Sequence, residues 1–250
     1  MTISRSTPRA SLINQGSISL IPSIAPTRRY RAQWLDANGD IQETEQTAPA
    51  SPLVDAAHSA FVRGTLITTT GGPIAIEDLL PGDRVVTAAQ GPMAVLWIGS
   101  MTLPVPERIN APCRLTRIMT DAFGAMRPLS DLMVGAGARL LSNPRHLRTQ
   151  CGSEPVLTPA HAMIDGMQIF EVAPRQPVTL YHICLRQHAI ITASGLQSES
   201  FHPGAGFERG FNRAKLQHFL SFFPHIEAAC DFGPLAQMRL PLDMPDQLAV

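Results

Sequence analysis

The chain has 250 residues, with 20 Lys+Arg against 20 Asp+Glu, and 44% of its residues are hydrophobic. That hydrophobic content excludes a largely disordered chain, and the zero formal net charge argues against a general polyanion binder, because recognition of duplex nucleic acid usually needs a basic face. No run approaches the ~18 consecutive apolar residues of a membrane span, and the N-terminal residues lack the apolar core of a secretory signal, so we expect a cytoplasmic protein.

The segment before residue 60 is predicted to hold a flexible arm, a hairpin and a linker. Residues 1–27 are rich in Ser, Pro and Arg without a clear period, which is typical of a flexible arm. Alternating apolar residues then lead to the Asn38-Gly39 turn, and this pattern predicts a β-hairpin. A Pro/Ala-rich linker follows, with a short helical turn from Val54 to His58. The basic stretch at residues 28–31 is too short to predict nucleic-acid binding and is interpreted as solvated.

From residue 60 onward, short β-prone runs alternate with Gly and Pro turns, such as Pro81-Gly82-Asp83. Strands this short and this closely spaced predict a meander that curls on itself rather than a parallel sheet. After Gly206 the apolar period becomes helical, with Pro224 as a stop, and the helix should dock on the β unit. Its apolar face is predicted to consist of Phe211, Leu216, Phe219, Leu220 and Phe223.

The cysteines give no strong indication of a metal or a disulfide. Cys113, Cys151, Cys184 and Cys230 lie far apart and form no CxxC pair, which favours free thiols. The even spacing of His182, Cys184 and His188 would put them on one face of a strand, and such a face could bind a metal. No further ligand follows at a convincing offset. We therefore predict no metal and no cofactor.

Several blocks of the sequence, in the right order, resemble one known family. They are AFVRGTLITTTGGPIAIEDLLPGDRVVT from residue 60 with Trp97-Ile98-Gly99, then DLMVGAGARLL from residue 131, LTPAHAMIDG from residue 157 and YHICLRQHAIITASGLQSESFHPG from residue 181. These blocks are similar to the Hint domain of hedgehog autoprocessing modules and inteins, in its bacterial branch. The resemblance implies an all-β, horseshoe-like domain of short antiparallel strands over residues 60–204, with its two ends close together. Residues 1–59 would then be the arm, hairpin and linker, and residues 205–250 a C-terminal helix and tail.

The resemblance also implies a chemistry whose key residues are replaced here. In the family, a Cys or Ser at the first position of the domain attacks the carbonyl carbon of the preceding residue. The reaction needs, in addition, a donor for the leaving nitrogen and a site that stabilises the oxyanion. The first position here is Ala60, which offers no nucleophile. In the segment that matches the family's S-P-x-H, the helper-histidine position is Ala138 and the hydroxyl position is Gly135.

Three other side chains were candidates for a residual reaction. The Ser59 hydroxyl could attack the preceding carbonyl, but a one-residue slip in a strand turns a side chain to the opposite face, so we interpret Ser59 as a linker serine. His146 lies eight residues beyond Ala138 and is interpreted as a surface histidine. His188 matches the histidine of the family's D-R-H-E, but Ala189 replaces the carboxylate, and this favours a structural role.

The sequence therefore predicts a degenerate autoprocessing module that serves as a binding or assembly scaffold. Splicing is the least supported activity, because ESFHPG at the end of the domain has neither a His-Asn pair nor a following Cys. The alternative function is an active, self-cleaving Hint protein with an unusual nucleophile. The scaffold would have a protein partner that the sequence does not identify, and neither nucleic-acid binding nor a membrane span is expected.

Overall fold

Most of the regular secondary structure of the fold consists of antiparallel strands. The computed structural model describes residues 26–106, 115–143 and 154–240. The strands are β1 (Thr27–Leu35), β2 (Ile41–Pro49), β3 (Phe61–Val62), β4 (Leu66–Thr69), β5 (Gly72–Ala75), β6 (Arg84–Thr87), β7 (Gly91–Leu103), β8 (Leu115–Ile118), β9 (Leu132–Val134), β10 (Arg139–Ser142), β11 (Val156–Pro159), β12 (Ile169–Val172), β13 (Val178–Leu185), β14 (Ile190–Ala193) and β15 (Leu196–Glu199). The α-helices are α1 (Pro52–Ala57) and α2 (Arg213–Leu220), and 3-10 turns span Ala160–Met163, Phe207–Gly210 and Ala229–Phe232. The predicted all-β class is confirmed.

The long strand β7 joins two sheets. Its first half pairs with β6, and its second half pairs with β13 on one side and with β1 on the other. One sheet therefore has the order β2-β1-β7-β13-β3-β9-β8-β12, and the other runs β11-β10-β15-β14-β4-β6-β7, with β5 beside β4. The main apolar core lies between these sheets and includes Phe61, Ile67, Val85 and Ile183. The curled meander expected from the turn spacing is present.

The two ends of the segment from residue 60 to residue 200 lie next to each other on β13. The N–H of Ala60 donates to the carbonyl oxygen of Tyr181 at 2.9 Å, and the N–H of Phe201 donates to that of Ile183 at 2.7 Å. The two acceptors are thus two residues apart in one strand. This agrees with the expected closeness of the ends.

A second apolar cluster, which we call the flank core, lies on the outer side of β7 and β13. Tyr30 and Val54 come from the segment before the domain, and Phe219 and Phe223 come from the segment after it. Both segments pack on Trp97, which is fully buried. Burying a large apolar side chain stabilises a fold by about 1.5–3 kcal/mol. The flanking segments are therefore integral parts of the structure.

The structure refines several predictions about these flanks. The hairpin turn at Asn38-Gly39 is confirmed between β1 and β2. The predicted linker is instead packed, since α1 occupies it and Val54 is buried. The basic stretch forms part of β1 rather than a solvated arm: Arg28 pairs with Asp55 at 3.1 Å, and the neighbouring arginines of that strand pair with Glu45. Most of the predicted arm, at residues 1–25, lies outside the described residues.

The C-terminal helix is present but shorter than its apolar pattern suggested. It begins after Asn212, whose side-chain oxygen accepts the N–H of Lys215 at 2.9 Å, and it ends at Leu220, before Pro224. Phe219 is buried, as is Phe223 just beyond the helix, so the predicted docking on the β unit is confirmed. No helix within the described ranges is both long enough and apolar enough to cross a membrane.

Candidate functional site at the Ser59–Ala60 junction

The peptide that joins Ser59 to Ala60 is held between β13 and the loop that follows β9. Its nitrogen, on Ala60, donates to the carbonyl oxygen of Tyr181. Its carbonyl oxygen, on Ser59, accepts the N–H of Gly137 at 3.1 Å, and the carbonyl oxygen of Ala60 accepts the N–H of Gly135 at 2.9 Å. The position predicted for the nucleophile is therefore fixed by backbone hydrogen bonds on both sides.

Glycine is required in the loop at residues 135–137 because the two backbones approach each other closely. A Cβ atom on Gly135 would lie 2.1 Å from the carbonyl oxygen of Ser59, and one on Gly137 would lie 2.2 Å from that of Ala56. Only a residue without a side chain fits at such distances. The serine that the resemblance would place at residue 135 cannot occupy this backbone without a shift of the loop.

The two replaced positions, Ala60 and Ala138, belong to the same buried cluster. Ala60 is 0% exposed and Ala138 is 1% exposed, and both methyl groups pack in the main core. The carbonyl oxygen of Ala138 accepts the N–H of Ala160 at 3.0 Å. The structure thus brings together the two positions that the resemblance assigned to the nucleophile and its helper, and both carry methyl groups.

His58, which the sequence analysis did not single out, anchors the junction from the N-terminal side. Its ring is fully buried, with ring centroids 4.9 Å from Tyr30 and 5.2 Å from Trp97. It lies over Gly99, where a Cβ atom would come within 2.8 Å of His58 Cδ2. Burial lowers the pKa of His58 to about 4. Because Nδ1 is 2.7 Å from the carbonyl oxygen of Val54, which can only accept, Nδ1 carries the proton of the neutral ring.

Polar atoms near the junction are buried but do not form a catalytic pair. Ser59 Oγ, His58 Nε2 and His182 Nε2 have no hydrogen-bond partner among the described residues. His182 Nδ1 accepts the N–H of Ile183 at 3.0 Å, and burial, the largest cause, lowers the pKa of His182 well below its usual value. A nucleophile and its base need to lie within hydrogen-bonding distance, and Ser59 makes no such bond to either histidine.

The other candidates from the sequence fall in different places. His182 and Cys184 lie on β13, whereas His188 lies beyond its end, where Nε2 contacts Glu199 at 3.2 Å. Across the part of the chain that the structure describes, no group of three metal-ligating side chains is close enough to hold a metal ion. His146 lies outside the described residues.

The fold and this junction define an antiparallel β domain with its ends at one strand. A family model described as the Hint domain matches residues 59–205. This match spans more than half of the chain, and the chain therefore belongs to the Hint-domain family, as the residue blocks indicated. The solution structure of a bacterial intein-like domain from Clostridium thermocellum is similar, with 14% sequence identity and a TM-score of 0.38, over 58% of this chain and 99% of that domain. No curated protein matches the chain.

Proposed function

We propose that this Hint protein does not cleave itself at the Ser59–Ala60 peptide and that the intact chain serves as a scaffold for binding or assembly. The observation that carries the proposal is the buried methyl group of Ala60 at the position of the nucleophile. A methyl group cannot attack the carbonyl carbon of Ser59, so no ester or thioester can form there. The second replaced position, Ala138, supplies no proton to the leaving nitrogen.

The hydrogen bonds of the junction support the same proposal. The nitrogen of Ala60 already donates its proton to the carbonyl oxygen of Tyr181, and an acceptor in this place cannot protonate a leaving amine. One of the three requirements is met, because the N–H of Gly137 points at the carbonyl oxygen of Ser59. A single backbone donor polarises a carbonyl group, but without a nucleophile it leads to no reaction.

The alternative function is self-cleavage by Ser59 on the carbonyl of His58. Two observations favour it: Ser59 Oγ is buried without a partner, and His58 carries its proton on Nδ1, which leaves Nε2 free to act as a base. Against it, no hydrogen bond joins Ser59 Oγ to His58 Nε2. The scaffold is therefore the function that we propose. The two functions can be distinguished by mass, because only self-cleavage shortens the chain.

The experiment is an intact-mass measurement of the purified full chain, incubated with and without dithiothreitol or hydroxylamine. We expect the single mass of the uncleaved chain. Loss of residues 1–59 would contradict the proposal at Ala60, and loss of residues 1–58 would establish the Ser59 alternative. Treatment with hydroxylamine matters because it cleaves esters as well as thioesters.

The variant Ala60→Cys tests whether the missing nucleophile is the only defect. We expect little or no cleavage with dithiothreitol, because Ala138 leaves the nitrogen without a donor. Ala57→Cys is the matched control, since Ala57 is equally buried but is not the residue that follows the Ser59 carbonyl. The double variant with Ala138→His should not restore cleavage, because an imidazole overfills a closely packed site. Strong cleavage of the single variant alone would show that another group protonates the nitrogen.

A further inference from the structure

The chain segment 233–240 is held on the β domain by a buried polar network centred on Glu199, at the end of β15. Glu199 is 2% exposed. Its Oε2 atom accepts from Arg239 Nε at 2.8 Å and lies 3.2 Å from His188 Nε2, and its Oε1 atom is 3.6 Å from Arg139 Nε. A carboxylate buried this deeply is stable only with charged or hydrogen-bonding partners.

The main chain on both sides of Arg239 is also bound. The N–H of Leu157, in β11, donates to the carbonyl oxygen of Met238 at 2.8 Å, and the N–H of Leu240 donates to the carbonyl oxygen of Leu157 at 3.0 Å. These two bonds form a parallel bridge between Leu157 and Arg239, whereas the strands of the two sheets pair antiparallel. Addition of an extended segment to a strand, with one side chain in a pocket, is how many proteins bind peptides.

Glu199 and the carbonyl oxygen of His202 form a site, which we call the Glu199 pocket, that binds the guanidinium group of Arg239 at two points. Arg239 donates from Nε to Glu199 and from Nη2 to the carbonyl oxygen of His202, at 2.8 Å each. Two acceptors in different directions match the fixed N–H fork of arginine better than the single ammonium group of lysine. The following residue, Leu240, is buried against Val156, whereas the preceding residue, Met238, is 58% exposed.

We propose that the Glu199 pocket is a binding site for an extended peptide with an arginine followed by an apolar residue, and that Arg239 of the same chain occupies it. An emptied pocket would keep its carboxylate paired, because Arg139 and His188 remain beside Glu199. While the segment is bound, the N–H of Ala236 donates to His188 Nδ1, which leaves Nε2 as the ring atom that can donate to Glu199. This site is independent of the Ser59–Ala60 junction, and the proposal goes beyond the scaffold function.

Two full-length variants test the site. Arg239→Ala should raise hydrogen exchange at the amides of Leu157 and Leu240 at least tenfold, while the amide of Phe201, which donates to β13, keeps its protection. A labelled synthetic peptide of residues 233–240 should then bind this variant at least tenfold more tightly than it binds the wild-type chain, whose pocket is occupied. Arg84→Ala, which removes an exposed arginine on β6, is the matched control and should behave like the wild type.

The specificity of the pocket is tested with the peptide and with Glu199. Replacing arginine by lysine in the peptide should weaken binding at least tenfold, and Glu199→Gln combined with Arg239→Ala should do the same. If Arg239→Ala does not fold, Arg239→Lys serves as the receptor. Unchanged protection of Leu157 and Leu240 would show that Arg239 does not hold the segment. Lost protection without peptide binding would show that the pocket does not accept a peptide from outside. Intact mass, measured in parallel, reports on cleavage separately.

Discussion

The substitution Tyr30→Ala tests whether the segment before the domain is a structural part of it. Tyr30 is 1% exposed, its hydroxyl donates to Asp55 Oδ1 at 2.6 Å, and its ring lies 5.4 Å from that of Phe222. Truncation of a buried aromatic side chain costs about 3–5 kcal/mol. We therefore expect the free energy of unfolding to fall by about 4 kcal/mol, a large share of the roughly 5–15 kcal/mol typical of a domain.

Two further variants separate packing from hydrogen bonding. Tyr30→Phe keeps the ring and removes the bond to the carboxylate, and a cost of about 1.5 kcal/mol is expected, at the low end for a bond to a charged group, because Arg28 still pairs with Asp55. Ile41→Ala is the control on the same hairpin. Ile41 is 47% exposed, and its truncation should change stability by less than about 0.5 kcal/mol.

The assay is equilibrium unfolding in urea, followed by tryptophan fluorescence, which reports on Trp97 in the flank core and on Trp34 packed against it. A midpoint for Tyr30→Ala that equals that of Ile41→Ala would refute the reasoning. In that case the hairpin would be dispensable, and residues before 60 could leave without loss of the fold. The expected result is instead a large drop at unchanged slope, because the denaturant slope reports the surface exposed on unfolding.

Three other predictions follow from the junction and its surroundings. Gly137→Ala should destabilise the chain by about 1–3 kcal/mol in the same assay, because its Cβ atom would lie 2.2 Å from the carbonyl oxygen of Ala56, whereas Gly210→Ala, with open space around it, should have little effect. Stability should fall as the pH is lowered from 6.5 towards 4, because burial lowers the pKa of His58 to about 4 and the unfolded chain then binds the proton first. The share of the loss that comes from His58 is about 2 kcal/mol between pH 7 and pH 5, and His58→Gln should remove that share. Alkylation followed by peptide mapping should modify the exposed Cys230 in the native chain and Cys184 only after unfolding, since burial raises the pKa of the Cys184 thiol.

Each of these has a clear contrary result. Equal stability of Gly137→Ala and Gly210→Ala would mean that the loop can move away from α1. The buried rings of His202 and His225 also have pKa values lowered to about 4 by burial, so His58→Gln should remove only part of the pH dependence. An unchanged pH profile in that variant would show that His58 titrates normally. Rapid native modification of Cys184 would contradict its burial beside Trp97.

Local sequence signals predicted the elements well. The Asn-Gly pair predicts the turn at residues 38–39 because such a turn needs a positive φ, which glycine adopts without strain. Gly39 has a φ of 87° in the structure. The family blocks located Ala60 and Ala138, and the structure brings these two positions into one cluster. Reactivity at the first position depends on the side chain of residue 60 rather than on the fold, and intact mass measures it directly.

Contacts between distant parts of the chain could not be predicted in the same way. The role of His58 depends on the missing side chain of Gly99, in a strand far along the chain, and no local pattern relates the two residues. Similarly, the burial of Glu199 makes sense only with Arg239, in a segment whose sequence looks irregular. The helix α2 was expected to dock, but not to share a cluster with Tyr30.

The flank core has a consequence for how this chain is organised along its length. The segments on either side of the Hint domain contact each other directly: Gln46 Nε2 donates to the carbonyl oxygen of Ser221 at 2.9 Å, and the rings of His58 and Phe222 lie 6.0 Å apart. The domain departs from and returns to adjacent positions on one strand. The two flanking segments thus form one packed unit, and the Hint domain is an insertion in it. The two halves of that unit contact each other where the inserted domain begins and ends.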